Sequence, residues 1–237
     1  MLFDSQRLAN FYDSPIGLVT RRLVQRRLRG LWPDTRGGRI LGYGFAIPYL
    51  RAFALEAERT IALLPEQQGA MRWPLDRSLT ALGEEHSFPF PEALFDRVLI
   101  VHGIETAESA RALMRQVWRV MAPEGRLLVV APNRASLWAQ VDRSPFAYGR
   151  PFSRAQLDRL LREAMFVPEH WDTALLLPPL KSRRFIGTGA VWERAGRLLW
   201  PGLAGLHLVE ASKSLYAAIP VPAAAKKTKP TLAPARS

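Results

Sequence analysis

The chain has 237 residues, 48% of them hydrophobic and 23% charged, which suits one large globular domain or a domain with modest terminal extensions. Cysteine is absent, which excludes a disulfide framework and a thiolate metal site, and nothing clusters at metal-ligand spacing, so no metal is expected. The net charge of +12 is uneven: residues 1–51 hold nine Arg against three Asp, residues 181–237 hold ten Lys or Arg against two Glu, and the middle carries −2.

The first residues, MLFDSQRLANFY, place Asp4 and Arg7 where a signal peptide needs its apolar region, and the longest apolar stretches, Leu198 to Val209 and Ser214 to Ala225, are too short to span a bilayer. A cytoplasmic protein is expected. Pro15 to Arg29 reads as a helix: Ser14 can cap it, Pro15 fits the first turn, and Ile16, Val19 and Leu23 recur at helical spacing. Its other side is basic, with Arg22, Arg26 and Arg29 near one face and Arg21 and Arg27 beside it. Such a face either meets phosphates or anionic headgroups or is simply solvated.

After Gly37-Gly38 the pattern changes to short apolar runs alternating with amphipathic helices, the rhythm of βαβ units and a parallel sheet. The runs are Arg39 to Tyr43, Thr60 to Leu64, Ser78 to Leu82, Arg97 to Val101 and Arg126 to Ala131. Between the last two, Ala110, Leu113, Val117, Val120 and Met121 form the apolar stripe of a helix that Pro123 and Gly125 end. Ser153 reads as an N-cap, Ala155 to Ala164 as helix, Phe166 to Leu177 as an irregular strand, a stretch through Trp192 to Trp200 as helix, and His207 to Tyr216 as a closing strand. From Val221 the chain is a Pro, Ala and Lys tail that cannot bury enough surface to order itself. The expected organisation is therefore a basic helical segment over 1–34, an α/β domain over 35–220 and a basic tail over 221–237.

The text from Leu82 to Pro132, LGEEHSFPFPEALFDRVLIVHGIE and then LMRQVWRVMAPEGRLLVVAP, closely resembles the second half of the class I S-adenosylmethionine-dependent methyltransferase domain of the small-molecule type (type 11). The resemblance implies a Rossmann-like α/β fold, with a seven-stranded, mostly parallel sheet flanked by helices. It also implies S-adenosyl-L-methionine bound at the carboxyl ends of the central strands, where an open α/β sheet has its topological switch point. It places Glu84 where the family's acidic residue contacts the adenine amine, and it makes Phe95-Asp96 the opening of the fourth strand.

The first half departs from the family pattern. The family's opening loop is an acidic residue followed by Gly-x-Gly-x-Gly, because backbone must pass close to the cofactor with no Cβ in the way. Here the text is ILGYGFAIPYL. Aligned through Tyr49-Leu50, Gly42 replaces the acid, Gly44 and Ala46 keep two small positions and Pro48 replaces the last glycine; aligned on the glycines, Gly42, Gly44 and Ala46 fill the three places. At the end of the second strand, TIALLPEQ offers Leu64 where the family has an acid for the ribose, with Glu66 two residues late.

Methyl transfer mainly requires alignment of two reactants and exclusion of water, so no fixed triad is expected. A general base helps when the acceptor is a hydroxyl or a protonated amine. His102, just past the fourth strand beside Gly103 and Glu105, is placed either for that role or as a packed, cofactor-flanking residue. The resemblance further makes Tyr12, and Tyr148 and Arg150 in the loop after the fifth strand, candidates to border a substrate pocket, with ordinary packing as the alternative. Three readings stay open: a methyltransferase for a small-molecule substrate, a catalytically inactive binding or regulatory protein on the same fold, and a methyltransferase that engages nucleic acid or an anionic membrane through its basic ends.

Overall fold

The structure is a computed structural model, and it describes residues 4–141, 144–176, 178, 196 and 200–214. The helix expected over Trp192 to Trp200, nearly all of it, and the tail from Val221 lie outside the described residues.

The chain opens with two helices, α1 (Ser5–Asp13) and α2 (Pro15–Leu31). Each has a side-chain cap for its free amide groups: the Asp4 carboxylate accepts from Arg7 N at 2.7 Å, and Ser14 Oγ accepts from Gly17 N at 3.2 Å, with Pro15 in the first turn. There follow β1 (Arg39–Gly44), α3 (Ile47–Phe53), β2 (Arg59–Pro65), β3 (Thr80–Gly83), β4 (Phe95–Val101), α4 (Ala110–Val120), β5 (Met121–Pro132), α5 (Arg154–Glu163), β6 (Phe166–Ala174) and β7 (Leu206–Lys213). They form one seven-stranded sheet in the order β3-β2-β1-β4-β5-β7-β6, with every pairing parallel except the two made by β7. The chain leaves β1 toward β2 and β3, then returns to place β4 on the other side of β1, and the switch point lies between β1 and β4.

Alternation along each strand sends its side chains to two cores. Ile40, Leu64, Leu99, Val101, Leu128 and Leu208 face α1, α2 and α3; Leu41, Leu63, Val98, Ile100, Leu127 and Val209 face α4 and α5. Both faces are covered, which is why β1 and β4 read as continuous apolar runs. Leu8, Tyr12, Val24, Leu28 and Trp32 belong to the first of these cores, so the N-terminal helices pack on the sheet as part of the same body. On the outer side of α2, Arg21, Arg22 and Arg26 are exposed, whereas Arg29 pairs with Glu56 and Arg27 lies 3.6 Å from Asp172.

Element ends differ from the sequence reading by a few residues at several places, and two departures are larger. Strand β5 begins at Met121 rather than Arg126, immediately after α4, because Met121 pairs with Phe95 ahead of a register shift in β4. The aromatic N-terminal stretch Ser5–Asp13 is a helix of its own. Phe95-Asp96 has a structural task at the opposite end of the sheet from the switch point: the Asp96 carboxylate accepts from Arg39 N, Nε and Nη2 at 2.8, 3.1 and 3.0 Å, clamping the start of β1 to β4. That hydrogen bonding holds the Asp96 carboxyl below its ordinary range.

Candidate functional site

The carboxyl ends of β1 and β4 meet at two tight loops. Gly44 ends β1 at φ +75°, and a Cβ there would lie 2.3 Å from Val101 O and 2.9 Å from Gly103, so the crossing of the loops demands glycine. Gly42 is needed for packing: a Cβ would lie 2.5 Å from Leu50 Cδ1 and 2.8 Å from Ala46 Cβ, because α3 folds straight back onto the strand that precedes it. Ala46, the N-cap of α3, is fully buried.

Above this loop the side chains close ranks. Phe45 stacks on Tyr12, from the last turn of α1, with ring centres 6.0 Å apart. The Tyr12 hydroxyl lies 2.8 Å from His102 Nε2 and accepts a hydrogen bond from the Tyr49 hydroxyl at 3.1 Å. Since Tyr49 donates to Tyr12, the Tyr12 proton is left for His102 Nε2, and the other ring nitrogen, Nδ1, lies 3.4 Å from Glu105 Oε1. His102 leaves β4 at φ +51°, stacks on Phe146 at 4.9 Å, and accepts at its carbonyl from Gln68 Nε2 at 2.6 Å. Tyr12, Tyr49, His102, Glu105 and Gln68 are all at most 3% exposed. Burial pushes both tyrosine hydroxyls far above their ordinary range, so they remain proton donors. The Glu105 carboxyl makes no hydrogen bond, and Gln68 Oε1 likewise has no partner.

A separate cleft of about 260 Å³ opens at the ends of β2 and β3, lined by Tyr43, Pro65, Glu66, Gly83, Glu84 and Glu85 among others. Glu84 is exposed there, 2.8 Å from His86 Nε2. Glu85 accepts from the amides of Glu108 and Ser109 at 2.9 and 2.6 Å and so holds the start of α4. Leu64 points away into the core with no exposure, and Glu66 reaches the cleft instead.

The structure thus brings Gly42, Gly44, Ala46, Tyr12 and His102 together, puts Glu84 in the neighbouring cleft, and sets Arg150 elsewhere, on the rim of a depression between α4 and α5. Tyr148 is half-buried in the loop that leads to Arg150, whose amide donates to Glu105 O at 2.7 Å. Sequence reasoning missed Gln68 and Phe146 as partners of His102, and Tyr49 as the partner of Tyr12. The signal for Glu105 was present in its three-residue spacing from His102, which a turn brings onto one side.

Residues 42–129 match a family model described as a methyltransferase domain. Among solved structures, the chain is similar to a chain from the Haloferax volcanii complex that contains the Trm112 methyltransferase activator (16% identity, 89% of this chain and 95% of that one, TM-score 0.62). It is also similar to an S-adenosylmethionine-dependent methyltransferase from Mesorhizobium loti (16%, 79% and 96%, 0.57) and to one from Archaeoglobus fulgidus (18%, 81% and 94%, 0.56). Comparison with curated proteins finds no match.

Set against the cofactor of that fold, the residues fit at one end. The cleft at Glu84 and Glu66 offers carboxylates and an aromatic wall to a nucleoside, but the β1 loop that would cradle the amino-acid end is covered by Phe45, Tyr12 and Phe146, each at most 2% exposed. Residues 42–129 are thus similar to a methyltransferase domain, and the chain is built on the fold of the class I S-adenosylmethionine-dependent methyltransferases, with a first glycine motif that is degenerate.

Proposed function

We propose that this chain is an S-adenosylmethionine-dependent methyltransferase acting on a small-molecule acceptor. The observation that carries the reading is the hydrogen-bonded series Tyr49, Tyr12, His102, ending beside the Glu105 carboxyl at the switch point of the sheet. The cofactor, when bound, supplies an electrophilic methyl group on a sulfonium. What the chain would supply is placement and proton handling: Glu84 and Glu66 would accept hydrogen bonds from the nucleoside, the aromatic residues around His102 would exclude water, and His102 Nε2 would take a proton from the acceptor once Tyr12 no longer occupies it. Binding of the amino-acid end requires Tyr12 and Phe45 to give way, so occupancy of the site is coupled to the position of α1.

The covered loop favours a second reading, a non-catalytic binding module on the same fold. Titration calorimetry and thermal denaturation with S-adenosylmethionine and S-adenosylhomocysteine separate the two. The enzyme reading expects micromolar-range binding and a raised melting temperature, because a ligand selective for the native state stabilises it. It also expects about tenfold weaker binding in Glu84→Ala, equivalent to roughly 1.4 kcal/mol. Absence of heat and of any thermal shift with either compound removes the enzyme reading and leaves the module.

A further inference from the structure

On the α4/α5 side of the sheet, the loops that leave β4 and β5 frame a depression of about 460 Å³, within the range of small-ligand sites. Four arginines line it, Arg111, Arg134, Arg150 and Arg159, against two glutamates, Glu108 and Glu163. Arg111 is committed to Glu163 at 2.8 Å. The other three have no carboxylate partner among the described residues, although Arg29, Arg36, Arg39, Arg126 and Arg162 each hold one. The amides of Glu108 and Ser109 are already taken by Glu85, so the positive character of the depression comes from guanidinium groups.

The backbone that carries these groups is fixed. Arg134 N donates to Phe152 O at 3.1 Å, next to Asn133, whose amide nitrogen donates to Gly202 O and Ala204 O at 2.9 and 2.8 Å. Arg150 N is pinned to Glu105 O at 2.7 Å. Gly149 before it sits at φ +83°, where a Cβ would come within 2.2 Å of that same oxygen. Arg159 projects from α5, whose first turn is locked by a capping box between Ser153 and Gln156. Arg134, Arg150 and Arg159 are exposed and open to an anion arriving from solvent, their backbones are fixed around one concavity, and the planar guanidinium fork matches a phosphate oxygen pair.

We propose that this depression is a binding site for a phosphate-bearing small molecule, held by Arg134, Arg150 and Arg159. The site shares the loop 102–109 with the His102 cluster but none of that cluster's side chains, and the proposal stands whether or not the chain transfers methyl groups.

The test is calorimetric titration of the full chain with inorganic pyrophosphate at low salt. It compares wild type, Arg134→Gln/Arg159→Gln, and the control Arg22→Gln/Arg26→Gln on the exposed side of α2. Saturable binding that weakens at least tenfold in the first variant and stays within twofold in the control is the expected result. No saturable binding, or equal loss in both variants, overturns the proposal. So does tighter binding of a single-stranded RNA oligonucleotide than of pyrophosphate through the same arginines, since that makes the depression a polymer site. Should the first variant fail to fold, phenylglyoxal labelling of the wild type decides the question: pyrophosphate protects Arg134, Arg150 and Arg159 and leaves Arg22 and Arg26 reactive, or the proposal fails.

Discussion

The Tyr12 hydroxyl lies 2.8 Å from His102 Nε2, joining the last turn of α1 to the residue that follows β4 across 90 positions of sequence. Both groups are buried, and Tyr12 also receives the Tyr49 proton, so removing one oxygen orphans two polar atoms that water cannot reach. Tyr12→Phe is therefore expected to cost about 2 kcal/mol or more, since an unsatisfied buried donor or acceptor costs roughly 1–3 kcal/mol. Urea denaturation measures it. A loss below about 0.5 kcal/mol, the ordinary range of a surface change, would mean that the hydroxyl is not enclosed as described.

The sheet was legible because its strands are apolar runs separated by amphipathic segments, and the second half of the domain because the 82–132 text carries both helix and strand signals. The site was legible in single residues only. His102 and Tyr12 stood out by position, but nothing local in the sequence says that they touch: the contact is made by α1 folding over the β1 loop, and α1 buries only Ser5, Leu8 and Tyr12, too short a stripe to announce itself. Gly42 and Gly44 looked alike in the text yet do different things, one yielding space to Leu50 and the other allowing two loops to cross. Arg150 read, with Tyr148, as a candidate to border a substrate pocket; its backbone adjoins Glu105, and it lines the depression between α4 and α5. Sequence order gives a residue's place along the chain; which side of the sheet its loop falls on is settled by packing.

Gly42 offers a direct check on the degenerate loop. Gly42→Asp restores the family's acid in the text, yet its Cβ would have to share space with Leu50 Cδ1 and Ala46 Cβ, and its carboxylate would enter a region without water. Overpacking costs about 1–3 kcal/mol and a buried unpaired charge adds to that, so a loss of roughly 3 kcal/mol or more is expected. Thermal denaturation of the variant with and without S-adenosylmethionine reads both stability and binding. A variant as stable as wild type would show that α3 is free to move off β1, and with it the cover over the loop.

His207 sets a pH window for stability. Its ring is buried on β7 near Trp171 with Nε2 unpartnered, and burial first, then the charge of Arg154, brings its pKa down to about 4 from an ordinary 6.5. Above pH 6.5 the residue is neutral in both states and contributes no slope. As pH falls from 6.5 toward 4, the unfolded chain binds a proton that the native chain refuses, so stability declines by about 1.4 kcal/mol per pH unit at most, and the decline levels off once the native ring also protonates. Carboxyls held low by arginines, such as Asp96, give up their stabilisation at more acid pH. Unfolding free energies of wild type and His207→Gln between pH 7 and 4.5 isolate the effect: wild type loses about 2 kcal/mol more than the variant over that range. Parallel profiles would mean that the ring finds a partner or water when it protonates.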